Sequence, residues 1–91
     1  MKVLQTNSFK KTIKKLHTNQ KLILDKAVNS ILSDPLIGEE KVGDLSDVRV
    51  YKFRMCEQLT LLAYQYNKHN TTITLLALGS HENFYRDIKR Q

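Results

Sequence analysis

Between Val48 and Leu78 the chain contains "VRVYKFRM", "LTLLAYQY" and "TTITLLAL", three apolar, β-branched segments separated by only a few polar residues. Alternation and β-branching over such lengths mark strands, and the intervening "NKHN" has the length and polarity of a hairpin loop. Three consecutive strands therefore run as a meander, and the rest of the chain must supply the layer that packs on it.

Upstream, "KVLQT" reads as a short first strand. Phe9, Ile13 and Leu16 then recur at i, i+4, i+7, which predicts a helix over 9–17 with Ser8 as its N-cap. After "HTN", with Asn19 as candidate cap, Leu24, Ala27 or Val28, and Ile31 mark a second helix. Asp34-Pro35 ends it, because the residue before proline is biased away from helix. Residues 36–47, "LIGEEKVGDLSD", hold two glycines and show no periodicity, so they read as a long polar loop.

Past Gly79, Ser80 is the predicted N-cap of a closing helix, "HENFYRDIKR", with Phe84 and Ile88 on one face. The order β-α-α-β-β-β-α gives an α+β domain. It has a small, antiparallel-rich β-sheet, an N-terminal helical hairpin packed on it and a short C-terminal helix. No internal repeat appears, and residues 1–91 are read as one domain.

Composition narrows the chemistry. Fifteen Lys and Arg against nine Asp and Glu give a net charge of +6, which favours polyanionic or acidic partners. The charge is uneven: residues 1–35 hold seven basic and two acidic side chains, whereas residues 36–60 hold four basic and five acidic. No stretch approaches the roughly 20 apolar residues that cross a bilayer, and the first residues lack an apolar leader, so a cytoplasmic protein is expected. The single Cys56 forms no internal disulfide, and His17, His69 and His81 are isolated, so neither a metal nor another cofactor is expected.

Residues i and i+2 of a strand share a face, so Lys52 and Arg54 project together, with Val48 and Val50 on the same side and Arg49, Tyr51 and Phe53 opposite. The pair either solvates an open sheet face or forms a platform for phosphate. His81 would open the last helix, where the positive end of the helix dipole favours neutral imidazole, the form a general base needs. Tyr85 is one turn further along and can donate a hydrogen bond or stack on a base. A capping histidine and a packed tyrosine are the plainer readings of these two residues. Together the four match metal-free RNA cleavage, which requires a base for the 2′-hydroxyl, cations for the phosphorane oxygens and a donor for the departing 5′-oxygen.

The length, the basicity, the element order, the "YKFR" and "YQY" strands and "LGSHENFY" leading into a final helix resemble the RelE/ParE superfamily of bacterial type II toxin-antitoxin toxins, in particular its RelE-like branch. The resemblance implies a ribosome-dependent mRNA endonuclease that inhibits translation. It assigns His81 as general base or acid, Lys52 and Arg54 as phosphate stabilisers, and Tyr85 as substrate-orienting or proton-donating. It further implies an antitoxin protein as partner, and ribosome and mRNA contacts through Lys10, Lys11, Lys14 and Lys15, with no small-molecule substrate and no membrane. Many RelE-branch toxins carry an arginine near the start of the "LTLLAYQY" strand, where this chain has Thr60 and Leu61, which leaves Arg49 or Arg86 to substitute. A ParE-like inhibitor of DNA gyrase without catalysis shares the fold and charge and is the competing expectation. An inactive nucleic-acid-binding relative is a third.

Overall fold

The computed structural model describes residues 1–41 and 48–80, which form β1 (Lys2–Gln5), α1 (Asn7–Lys14), α2 (Thr18–Ser33), β2 (Glu39–Glu40), β3 (Arg49–Met55), β4 (Gln58–Asn67) and β5 (Thr72–Ser80). The five strands make one sheet in the order β1-β5-β4-β3-β2. Only β1 runs parallel to its neighbour, with Lys2 opposite Thr72, and the other pairs are antiparallel. This is the α+β architecture expected from the element order. The closing helix read over 81–90 lies outside the described residues.

The meander is where the alternation put it. β3 turns into β4 through Cys56 and Glu57 alone, and both have positive φ, 51° and 70°. A two-residue turn of this kind matches the right-handed twist of the strands, but it normally uses Asn-Gly or Asp-Gly, so Cys56 and Glu57 sit in a backbone region that side chains disfavour. Central β4 is flanked on both edges, and Thr60 through Tyr64 are all buried. β5 runs through Gly79 to Ser80, which pairs with Thr60, so Ser80 ends a strand, and its capping role falls on residues not described.

Both helices pack on one sheet face. Phe9 of α1 and Leu24 and Ile31 of α2 meet Met55, Leu62, Tyr64, Ile73 and Leu75 in one buried cluster. On the opposite face Val48, Val50, Leu61, Ala63 and Ala77 form a second, smaller one.

The helix starts differ from the sequence reading. α1 is capped by Thr6, not Ser8, and begins at Asn7. The Thr6 hydroxyl accepts from Phe9 N (3.1 Å) and donates to Leu76 O (2.9 Å). Leu76 sits at a register shift in the β4–β5 ladder, so the cap also ties the helix to β5. α2 begins at Thr18 with His17 as N-cap, not Asn19, and Gln20 reaches back to His17 N at 2.8 Å. Its end at Ser33, capped by Asp34, agrees with the Asp34-Pro35 signal.

The segment read as a loop over 36–47 contains a short strand, β2, that pairs Glu39 with Val50 and Glu40 with Arg49. A latch under it explains why two glutamates form a strand. Tyr64, fully buried, donates its hydroxyl to Pro35 O (2.7 Å) and accepts from Gly38 N (2.9 Å). Arg49 Nη1 donates to Gly38 O at 2.9 Å. A Cβ on Gly38 would stand 2.7 Å from the Tyr64 hydroxyl, so this backbone approach requires glycine.

Candidate functional site

The register of β3 and β4 decides which side chains share the face away from the helices. Lys52 lies opposite Leu61 and Arg54 opposite Leu59, on the side away from the helices, and both cations are exposed. They stand two residues apart, about 7 Å along the strand, close enough to contact neighbouring phosphate oxygens. Tyr51 and Phe53 point to the helix side and stack with ring centroids 5.9 Å apart. The face assignment made from alternation is therefore the observed one.

The surroundings of the pair were not visible in the sequence. Glu39 of β2 places one carboxylate oxygen 3.8 Å from Lys52 Nζ and the other 3.6 Å from Lys41 Nζ. The Lys52 side chain keeps 48% of its surface exposed, so the ion pair is screened by water and contributes little stability. An arriving phosphate can displace that carboxylate at low cost. The Arg54 guanidinium donates to Glu57 O at 3.3 Å, which anchors it over the tight turn.

Other candidates fall elsewhere. Arg49 is on the helix face, bonded to Gly38 O and 3.8 Å from Glu40, so the structure does not bring it to Lys52 and Arg54. Lys10, Lys11, Lys14 and Lys15 are all exposed along and just after α1, on the helix side of the sheet. Lys11 and Lys14 occupy the last turn, where cations complement the helix dipole. Thr60 is buried and hydrogen-bonds Gln58 O, whereas Leu61 is fully buried on the face that carries Lys52. The two strand positions weighed for a further arginine, Thr60 and Leu61, are thus both buried in this chain. Gly79 lies across from Leu61, and Ser80 across from Thr60. His81, Tyr85 and Arg86 follow directly in sequence and lie outside the described residues.

Tyr64 is a titratable group displaced from its ordinary value. Burial raises its phenol above 10.0, opposed by the Gly38 hydrogen bond and Arg49. That tyrosine belongs to the latch and not to the face that carries Lys52 and Arg54. Among the same residues no three His, Cys, Asp or Glu come together as a metal site, and no helix is long and apolar enough to cross a membrane. What the arrangement offers chemically is two cations on a rigid strand, one a point charge and one a fork, suited to binding a phosphodiester.

Comparison with known proteins gives the same fold. The family described as the ParE-like toxin of type II bacterial toxin-antitoxin systems matches residues 3–89. A mutant of the E. coli toxin RelE in the free state superposes with a TM-score of 0.72 at 21% identity, covering 98% of this chain and 95% of that one. The intact E. coli RelBE toxin-antitoxin complex gives 0.72 at 20% identity, covering 87% and 94%. A RelBE toxin-antitoxin complex from Mycobacterium tuberculosis gives 0.63 at 20% identity, covering 88% and 96%. Among curated proteins, none matches in sequence.

Proposed function

The chain belongs to the ParE-like toxin family of type II bacterial toxin-antitoxin systems, and from that premise we propose that it inhibits translation by cutting mRNA on the ribosome, without a metal or organic cofactor, in the bacterial cytoplasm. The observation that carries this reading is the Lys52–Arg54 pair, two exposed cations held two residues apart on the sheet face away from the helices, with an exposed ion pair to Glu39 and one hydrogen bond to the Glu57 carbonyl as their partners. Cations so placed neutralise the charge that grows on the nonbridging oxygens as the 2′-oxygen attacks phosphorus. His81 takes the 2′-hydroxyl proton or returns one to the departing 5′-oxygen, and Tyr85 orients the phosphate or donates in its place; both roles come from the resemblance. The product pair is a 2′,3′-cyclic phosphate and a free 5′-hydroxyl.

The lysines of α1 lie on the other side of the sheet from this pair. They serve as the contact to ribosomal RNA, an attraction that falls steeply with added salt. Arg86 is assigned to the same RNA-binding role. Arg49 is already engaged by the latch and can contribute only to the charge of that side. The partner that restrains the toxin is an acidic or amphipathic antitoxin segment, a reading supported by relatives solved as toxin-antitoxin complexes.

A second reading has its own support. Leu61 stands where a further arginine would complete the cation cluster, and the matching family is described as ParE-like. Both suit a toxin that binds DNA gyrase without cleaving anything.

Pulse-labelling after induction separates the two. Early loss of methionine incorporation, with new mRNA 5′ ends inside translated codons, is expected of the nuclease. Early loss of thymidine incorporation with intact mRNA would favour gyrase instead. Under the nuclease reading, His81→Ala or Arg54→Ala relieves growth arrest in folded protein; continued arrest in both would sink the site assignment.

A further inference from the structure

The hairpin that joins β4 to β5 folds around an open concavity of about 590 Å³, with Leu4 of β1 as its outer wall and the paired Gln65 and Thr74 as its floor. That size falls in the ~300–1,000 Å³ range of small-ligand sites. The cavity lies on the same sheet face as Lys52 and Arg54. Gln65 is four residues along β4 from Leu61, the partner of Lys52, so the two places are separated by about 13 Å at ~3.3 Å per residue.

Its walls are fixed. Asn67 Oδ1 accepts from His69 N at 3.0 Å, and Thr72 Oγ1 donates to Asn70 O at 3.3 Å. Thr71, a β-branched residue, is held at φ 51°, and Lys2 N donates to its carbonyl at 3.0 Å. The turn is therefore imposed by its neighbours and presents a formed concavity to solvent.

The lining has a definite chemistry. No carboxylate contributes to it, Lys68 supplies one cation, and Gln65, Asn67 and Asn70 supply amides. Among the described residues, the side chains of Gln65, Lys68 and Thr74 make no hydrogen bond, so their donors and acceptors are available. A side-chain amide carries a donor and an acceptor side by side, the pattern that pairs with the edge of a nucleobase. An imidazole such as that of His69 can stack on a base, and an ammonium takes a phosphate.

We propose that this concavity is a single-nucleotide subsite for single-stranded RNA, in which the amides of Gln65 and Asn67 read a base edge and Lys68 holds the adjoining phosphate. The inference rests on the mRNA-cutting reading for its substrate, and it adds a base preference a few nucleotides from the cut.

The test titrates trinucleotides of each of the four ribonucleotides into the full chain, following backbone amide shifts by NMR. Shifts concentrated on Gln65, Asn67 and Thr74, strongest for one base, are expected, with affinity about tenfold weaker in the Q65A/K68A double variant. Arg54→Ala should leave those shifts in place. In cells, mapped cuts made by the wild type should fall mainly at sites carrying the preferred base, whereas those made by Q65A/K68A should spread over all four, so that the pattern flattens. Equal oligonucleotide affinity in the double variant, with an unchanged cut pattern, would overturn the subsite and leave the nuclease standing. Shifts at the hairpin in a protein that makes no cuts would support the subsite and overturn the nuclease reading alone.

Discussion

On the helix side of the sheet, Leu62, Tyr64, Ile73 and Leu75 lie beneath α1 and α2, and the Tyr64 hydroxyl makes two hydrogen bonds. On the other side the same strands present Lys52 and Arg54 to solvent, one paired loosely with Glu39 and the other resting on a turn carbonyl. Because neighbouring residues of a strand face opposite ways, one backbone serves both sides. The larger core lies on the first, while the second carries the exposed cations beside a smaller buried cluster, so substitutions in the core and at the cations should have separable effects.

The largest separation is expected at Arg54. Arg54→Ala removes a cation from the proposed phosphate platform and should lower single-turnover mRNA cleavage by about 10²–10³-fold. Its urea midpoint should stay close to the wild type, because the side chain is exposed. A cleavage rate within a few-fold of wild type would break the division at its functional end.

Tyr64→Phe is the mirror case. It leaves the buried Gly38 N–H and the Pro35 carbonyl without their partner, a loss of roughly 2–4 kcal/mol in urea unfolding. The same phenol gives a pH signature. Burial raises its folded pKa above 10.0, so the unfolded chain ionises first. Its stabilising contribution is complete below that value and is lost as pH rises through the higher folded one. Wild-type stability should therefore fall more steeply than that of Tyr64→Phe above about pH 10. Parallel curves would remove Tyr64 from the account.

Gly38→Ala attacks the latch from its other side. A methyl 2.7 Å from the Tyr64 hydroxyl forces β2 outward, at about 1–3 kcal/mol. The smallest effect is a gain. Glu57→Gly relieves a residue at φ 70° and should stabilise the chain by about 1 kcal/mol, read as a higher urea midpoint.

These residues also show which parts of the molecule could be read in advance. β3, β4 and β5 were legible because period-two alternation is a property of the segment itself, and so was the shared face of Lys52 and Arg54. The start of α1 was not, because Thr6 and Ser8 are both good caps, and the Leu76 carbonyl, 70 residues away, selects between them. β2 was hidden for the same kind of reason. Two glutamates have little strand preference, and they pair with β3 only because Tyr64 and Arg49 hold the preceding turn. Around the candidate site, Glu39 and Leu61 become neighbours of Lys52 through strand register, which no single segment encodes.

The parallel pairing of β1 with β5 has a consequence in time. Thr6, at the end of β1, is bonded to Leu76, a separation of 70 residues. Synthesis at about 5–20 residues per second puts roughly 4–14 s between the appearance of the first partner and the second. During that interval β1 has no strand to join, and loop closure over such a span is slow in any case. The sheet thus completes only after β5 has been made, and until then β1 lacks the neighbour it pairs with.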